Sequence, residues 1–412
     1  MDLGDRVSVS RDGVSYEGIL MPTRSDNVVI KLDNGYNVAL RRPGCKIQLI
    51  AKGRETVLPK KQLSWREGLP QVSILSTGGT IASKVDYRTG AVTSQFTAGE
   101  IISAIPDLEE IANYRAKVIY SILSENMMAE YWSELARAVA DEIRSGSEGV
   151  IVTHGTDTMT YTAAALSFMI ETPVPVVLVG SQRSSDRPSS DSSMNAISAA
   201  TVAISDIAEV SVVMHEGMSD DYCTIHRGTR VRKMHTSRRD AFKSINQPPI
   251  GRVDYLRREI ETFGAYRRRG DLELALHKEI EPRCALVKFF PGASSKILDY
   301  YVDEGYKGMV IEGTGLGHVA SSWIASIRRA VDSGIPVIVT SQCMRGRICD
   351  RVYDTGRDML AAGALEGRDM LAEVALVKLM WALANTSGEE ELESVICSPI
   401  AGEISASTPA TT

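Results

Sequence analysis

Thr77-Gly78-Gly79-Thr80-Ile81-Ala82 and Thr153-His154-Gly155-Thr156-Asp157-Thr158 each follow an apolar run, Val72-Ser73-Ile74-Leu75 in the first case and Gly149-Val150-Ile151-Val152 in the second. Short apolar runs bounded by turn residues read as buried strands of a parallel sheet. In open α/β sheets ligands bind beyond the carboxyl ends of the strands, so two hydroxyl-bearing loops at two strand ends can face one small substrate. A threonine hydroxyl is a weak nucleophile until a neighbouring group takes its proton. Asp157 stands beside Thr156, and a lysine further along the chain can complete a relay. Such a set suits amide hydrolysis by a threonine nucleophile. Gly-Gly-Thr alone is also a generic strand–helix turn, and Asp157 alone is also a helix N-cap. Two such loops in one sheet favour the chemical reading.

Outward from these loops, the chain from about Leu69 alternates strand and helix patterns. Strands are predicted at Val72–Leu75, Lys117–Tyr120, Gly149–Val152, Val174–Val179 and Val210–Met214, with amphipathic helices over Met128 to Ile143 and Thr158 to Ile170. That alternation predicts a parallel sheet with helices on both faces. A charged connector spans roughly Arg267 to Pro282. A second α/β unit then takes strands at Cys284–Phe289, Met309–Ile311 and Pro336–Thr340 and a late helix over Met370 to Leu383. The small polar tail beyond Ala401 reads as loose.

The first stretch has a different texture. Arg6 to Val9 alternates, Asp12-Gly13 turns, Ser15–Met21 and Asn27–Leu32 read as short strands, and Asp33-Asn34-Gly35 turns into Tyr36–Leu40. Four or five short strands in so few residues predict a small closed β-barrel of the SH3 or Tudor kind. A polar connector, Lys52 to Arg66, leads out of it. The expected fold class is therefore α/β, a two-domain core preceded by a small β-barrel. The expected domains are residues 1–65, 66–275 and 276–405.

Composition limits the alternatives. The chain has 412 residues, 43% of them hydrophobic, enough for two or three domains with their own cores. A formal net charge of −6 provides no global basic field for nucleic acid. Cys45, Cys223, Cys284, Cys343, Cys349 and Cys397 lack metal-ligand spacing, so reduced thiols and no metal site are expected. The N-terminus lacks a signal-peptide pattern, and no apolar run reaches the ~18 residues of a membrane span. A soluble cytoplasmic protein without a membrane partner is the expectation.

Four strings in order, Thr77-Gly78-Gly79-Thr80-Ile81-Ala82, Thr153-His154-Gly155-Thr156-Asp157-Thr158-Met159, Val179-Gly180-Ser181-Gln182-Arg183 and Asp240-Ala241-Phe242-Lys243-Ser244, resemble the bacterial-type L-asparaginase/glutaminase family from about Gln71 to Thr386. The resemblance implies two α/β domains, the larger N-terminal one flavodoxin-like. It implies Thr80 as the nucleophilic threonine and Tyr87 on a mobile loop that closes over the substrate and helps activate Thr80. Thr156, Asp157 and Lys243 match the second threonine with its acid and lysine partners. In this reading Lys243 lowers the cost of deprotonating Thr156, while Asp157 holds the lysine or the substrate α-amine. Gly79, Ser124 and Glu125 fall in substrate-binding segments, Glu125 standing where the family usually has glutamine. Which threonine attacks first, and whether asparagine or glutamine is preferred, stay open. His154 reads as a packed strand-end histidine.

Three further features, the N-terminal barrel, the loop from Ser181 to Asp191 and the basic stretch Arg227, Arg230, Arg232, Lys233, Arg238 and Arg239, make the whole chain resemble the family of D subunits of archaeal glutamyl-tRNA(Gln) amidotransferases. That resemblance implies a glutaminase that passes ammonia to a partner, the amidotransferase's E subunit, which converts Glu-tRNA(Gln) to Gln-tRNA(Gln). It implies no cofactor in this chain, ATP and Mg²⁺ being used by the partner, and a homodimer core within a heterotetramer, with Glu-tRNA(Gln) contacted mainly through the partner. The alternative is a stand-alone cytoplasmic L-asparaginase with an added N-terminal domain. The basic stretch also reads as a solvated face. Tyr16 and Tyr36 are few aromatics for base stacking, so the barrel reads as a protein-contact rather than an RNA-contact module.

Overall fold

The structure, a computed structural model, describes residues 1–23, 25–53, 65–79, 83–85, 92–94, 105–184 and 187–407, with the backbone alone at 83–85 and 92–94. The first unit is an antiparallel sheet of β1 (Arg6–Arg11), β2 (Val14–Met21), β3 (Asn27–Leu32), β4 (Asn37–Arg41) and β5 (Lys46–Ala51) in the order β4-β3-β2-β1-β5. Asp12 and Gly13 both take positive φ, 49° and 80°, which a two-residue hairpin turn between twisted strands requires. Val7, Val9, Val28 and Ile30 form its core, with Tyr16, Leu20, Val38 and Ile47 packed around them. The sheet is barrel-like, as expected for a small module of the SH3 or Tudor kind, with β4 and β5 at the two ends of the strand order.

The main sheet is built from β6 (Gln71–Gly78), β9 (Asn113–Ile122), β10 (Gly149–Thr153), β12 (Val176–Val179), β13 (Val210–His215), β14 (Tyr222–Arg227), β17 (Gly251–Asp254) and β18 (Glu259–Thr262). Between these lie a hairpin of β7 (Ser83–Val85) and β8 (Val92–Ser94), a hairpin of β15 (Val231–Lys233) and β16 (Phe242–Ser244), and the short β11 (Ile170–Glu171). The order is β18-β17-β14-β13-β12-β10-β6-β9. The ladders from β9 to β13 are parallel, as the apolar runs predict, and β10 and β12 are buried along their whole length. Beyond β13 the sheet turns antiparallel through β14, β17 and β18, an edge absent from the sequence reading. In β17 burial alternates, with Gly251 and Val253 buried and Arg252 and Asp254 half-exposed, as expected where one face is solvated.

Helices cover both faces. In α1 (Ala129–Arg144) Trp132, Leu135, Ala136 and Val139 recur at helical spacing and face the core. Helices α2 (Met159–Met169) and α3 (Ser192–Ala203) are buried nearly all round, and their alanines let them pack closely. The second α/β unit has the parallel sheet β20 (Cys284–Lys288), β21 (Gly308–Gly313), β22 (Val337–Ser341) and β23 (Leu365–Glu366), with α4 (Lys296–Asp303), α5 (Ile324–Asp332), α6 (Asp354–Ala361), α7 (Ala372–Asn385) and α8 (Glu389–Cys397). The two units share one apolar core, in which Phe168 of α2 stacks on Trp381 of α7 at 5.9 Å between ring centroids.

The charged connector and the tail that reads as loose are both tied down. Within the charged connector, Arg269 donates to the carbonyls of Ser205 and Ala203, the His277 carbonyl accepts the Trp381 indole, and β19 (Ala275–Leu276) pairs with β11. In the tail, Glu403 is fully buried and ion-paired to the equally buried Lys378. Arg230 and Thr229 hold the carbonyls of Gly402 and Ala401. Internal polar partners, invisible in local composition, replace the solvent that these residue types usually seek.

Candidate active site

Four strand ends converge because glycines let their loops nest. A side chain on Gly79, whose φ is 90°, would place Cβ 2.6 Å from His154 C and Gly155 N. One on Gly155 would meet the Ser124 side chain at 2.6 Å, and one on Gly180 would come within 2.7 Å of the His154 carbonyl and 3.0 Å of Thr156 Cγ2. Thr77 Oγ1 donates to the Thr153 carbonyl at 3.0 Å, and Thr158 Oγ1 donates to the Ser124 carbonyl at 2.7 Å. Gly79, Ser124, Thr156 and Asp157 are thereby brought together, with Glu125 exposed on the single 3-10 turn Ser124–Asn126. Thr80 and Tyr87 lie outside the described residues.

Gly79→Ala is expected to abolish turnover while leaving a folded protein. Backbone atoms block the added methyl, and its φ costs an L-residue about 1–2 kcal/mol. The checks are kcat, expected to fall to background, and the melting temperature, expected to drop by a few degrees.

The lysine beside Thr156 is not Lys243. Lys233 Nζ donates to Thr156 Oγ1 at 2.9 Å and meets Asp157 Oδ1 at 2.6 Å. Lys243 Nζ instead donates to the Glu216 carbonyl at 3.0 Å and lies 3.5 Å from Asp240. The cause is strand register. In the β15–β16 ladder Lys233 is opposite Phe242, and Lys243 is opposite Arg232. Side chains alternate faces along a strand, so the two lysines leave the hairpin on opposite sides. Phe242 and Val231 are buried on the face that Lys233 shares. The signal available in the sequence was this two-residue period through Val231-Arg232-Lys233.

Beneath the loop, His154 is fully buried and burial drives its pKa down to about 4. The Gly155 carbonyl can only accept, so His154 Nδ1 carries the proton. The bare Nε2 accepts from Thr162 Oγ1 at 2.8 Å, and that oxygen accepts the Trp132 indole at 3.0 Å. With both ring nitrogens engaged, His154 supports the backbone before Thr156, in agreement with its reading as a packed histidine. His226 is also buried, and its pKa falls to about 3 through burial and then the neighbouring Lys243 charge.

These histidines set a pH dependence. In the unfolded chain they titrate near pH 6.5, so the unfolded state binds more protons between that value and the depressed folded ones. Their contribution to stability is present above pH 6.5 and is lost as the pH falls. Asp350 acts in the opposite sense, since burial and Glu366 lift its carboxyl to about 7. Two histidines outweigh one carboxyl, so the melting temperature is expected to fall from pH 7 to pH 5. Melting curves of His226→Asn should show a shallower fall over that interval.

The basic stretch is neutralised almost residue by residue. Arg227 pairs with Glu209 at 2.7 Å, Arg230 with Asp369 at 3.2 Å, Arg232 with Glu373 at 2.9 Å and Arg238 with Asp240 at 2.9 Å. Arg239 contacts Asp220, and Lys233 serves Asp157. Arg230 and Asp369 are both almost entirely buried. The stretch is thus neither a simple solvated face nor an open cationic patch. Arg230 and Arg232 join the β15–β16 hairpin region to the second α/β unit.

Comparison with known proteins places this geometry. Residues 71–264 match the family "Asparaginase, N-terminal", residues 283–396 the "Glutaminase/Asparaginase C-terminal domain" and residues 1–50 the "GatD N-terminal domain". The D subunit of glutamyl-tRNA(Gln) amidotransferase from Methanosarcina barkeri is 60% identical, with 97% of each chain covered. The D subunit from Archaeoglobus fulgidus is 58% identical over 98% of this chain and 96% of its own length. Among solved structures, the thermostable L-asparaginase from Thermococcus kodakarensis superposes with a TM-score of 0.74 at 33% identity, covering 82% of this chain and 100% of that one.

Proposed function

This chain belongs to the asparaginase family and, within it, to the D subunits of glutamyl-tRNA(Gln) amidotransferases, and from that membership we propose how its site works. It is the glutaminase component of a tRNA-dependent amidotransferase, an amidohydrolase that releases ammonia from glutamine for a partner protein. The observation that carries the chemistry is the Lys233 ammonium held between Thr156 Oγ1 and Asp157 Oδ1. A full-length match that includes the N-terminal unit favours this reading over a stand-alone asparaginase.

In the proposed reaction a threonine oxygen attacks the side-chain amide carbon. The carbon–nitrogen bond breaks, the nitrogen leaves as ammonia with the threonine proton, and water then cleaves the acyl ester to glutamate. Thr80 and Tyr87 take the nucleophile and closing-loop roles by family resemblance. Thr156, Lys233 and Asp157 form the proton relay, in which Lys233 stabilises a developing alkoxide and Asp157 fixes the lysine. Ser124, Glu125 and the Gly79 backbone face the substrate's α-carboxylate and α-ammonium. In this reading the chain needs no cofactor of its own. ATP and Mg²⁺ serve the E subunit, the partner that holds most of Glu-tRNA(Gln), and two copies of this chain form the centre of a heterotetramer.

The substrate assignment is tested by ammonia release from glutamine and from asparagine with the purified chain and with Thr156→Val. The reading predicts a glutamine reaction that falls at least about 10²-fold in the variant, the scale of a lost proton-transfer group. Rapid asparagine turnover with no glutamine turnover would contradict it.

A further inference from the structure

A cleft of about 530 Å³ lies between the N-terminal sheet and the loop that leaves β12. Met21, Lys31, Gly35, Tyr36 and Asn37 line one side, and Gln182, Arg183, Arg187, Pro188 and Ser237 the other. Arg183 and Arg187 supply positive charge and, among the described residues, none of the lining side chains is a carboxylate. The nearby Asp33 does not neutralise them, because its two oxygens are held by Arg6 at 2.8 and 2.6 Å. The Gln182 amide nitrogen is shut off from solvent and has no acceptor among the described residues. A buried donor without a partner is costly, and an incoming anionic oxygen would satisfy it. Tyr36 leaves the Asp33-Asn34-Gly35 turn with 59% of its surface exposed, an aromatic face at the rim.

We propose that this cleft binds a nucleotide phosphate, with Arg183, Arg187 and the Gln182 amide on the phosphate oxygens and Tyr36 stacked on the base. Planar guanidinium groups match phosphate geometry, and every base offers a face for aromatic stacking. The sequence discouraged an RNA-contact reading of the barrel because its aromatics are few. The fold changes that by setting Tyr36 against arginines about 150 residues away in the chain.

The position of the cleft gives it a consequence. Buried Asp191 accepts the backbone N–H groups of Gln182 at 3.0 Å and Arg183 at 2.9 Å and the Ser181 hydroxyl at 2.8 Å, which fixes the root of the loop. Immediately before it, Gly180 packs on Thr156. Ser237 lies four residues beyond Lys233. A ligand in the cleft therefore touches segments attached to both ends of the Thr156–Lys233 contact. The link to glutamine hydrolysis rests on the function proposed above, whereas binding itself does not.

The chemistry could come from an RNA strand or a free nucleotide. Fluorescence anisotropy with a labelled tRNA(Gln) transcript, competed with AMP, inorganic phosphate or a poly-glutamate peptide, separates the sources. The full chain should bind the transcript. Arg187→Ala and Tyr36→Ala should each weaken binding about tenfold, and Arg187→Ala should also lower the salt slope by about one. Competition by AMP at micromolar concentration assigns the site to a free nucleotide, and its failure assigns it to RNA. Both variants should keep wild-type ammonia release from glutamine in the absence of RNA. Transcript and AMP binding that both variants leave unchanged, or displacement by poly-glutamate alone, overturns the proposal. Loss of glutamine hydrolysis by the wild-type chain would strike the functional reading and leave the binding result standing.

Discussion

Lys233→Met is expected to reduce glutamine hydrolysis by about 10²–10⁴-fold in kcat, the scale of a group that moves a proton in the transition state. KM should change little, because Lys233 touches Thr156 and Asp157, and substrate recognition is assigned to the Ser124 turn. Lys243→Met is the matched control. It removes the same charge from the same hairpin one face away, leaves the Thr156 contact intact, and should retain kcat within about threefold. Folding of both variants is checked by their melting temperatures. The contrast matters because the string around Lys243 resembles the family strongly, whereas the ladder register places Lys233 at the site. Equal losses in the two variants would show that charge in the hairpin, rather than the Lys233–Thr156 contact, governs turnover.

Glu403→Gln is expected to be among the most destabilising single changes in the chain. Both members of the Lys378–Glu403 pair are out of solvent. Lys378 also donates to the carbonyls of Ile396 and Ser398, and Glu403 accepts the backbone N–H groups of Ile400 and Ala401. Removing one charge leaves the other buried and unpaired, a cost of about 3–5 kcal/mol. The double change Lys378→Met with Glu403→Leu should recover part of that loss, since it leaves no orphaned charge. Denaturant titration of the two variants gives the comparison. Because Arg230 holds the neighbouring Gly402 carbonyl while Arg232 carries on to β15 and Lys233, unfolding of the tail in Glu403→Gln should also reduce activity.

Much of the fold was legible because buried parallel strands leave a strong trace. Val150, Ile151 and Val152 form a continuous apolar run that can only be a core element, and the glycines after such runs signal close approach. The antiparallel edge was not legible, since β14, β17 and β18 are short strands bearing Arg227, Arg252 and Glu261. The tail past Ala401 was misread for a related reason. Glycine, serine and glutamate suggest solvent, and only the three-dimensional fold supplies Lys378 to Glu403. At the site, Thr156, Asp157 and Gly79 could be named from loops that follow strands, and Ser124 through the family resemblance of its segment. The lysine could not be settled by string similarity, because the choice between Lys233 and Lys243 depends on a cross-strand register that a linear motif does not contain.

Ammonia release from glutamine, measured for the purified chain alone and then with the partner protein and Glu-tRNA(Gln), tests the central claim most directly. A glutaminase that supplies ammonia to another active site should hydrolyse glutamine slowly alone and accelerate when partner and acceptor are present, as expected for a site completed by a conformational step. The account predicts a rise of at least about tenfold that Lys233→Met eliminates. Full-rate hydrolysis by the chain alone, unchanged by either addition, would contradict it.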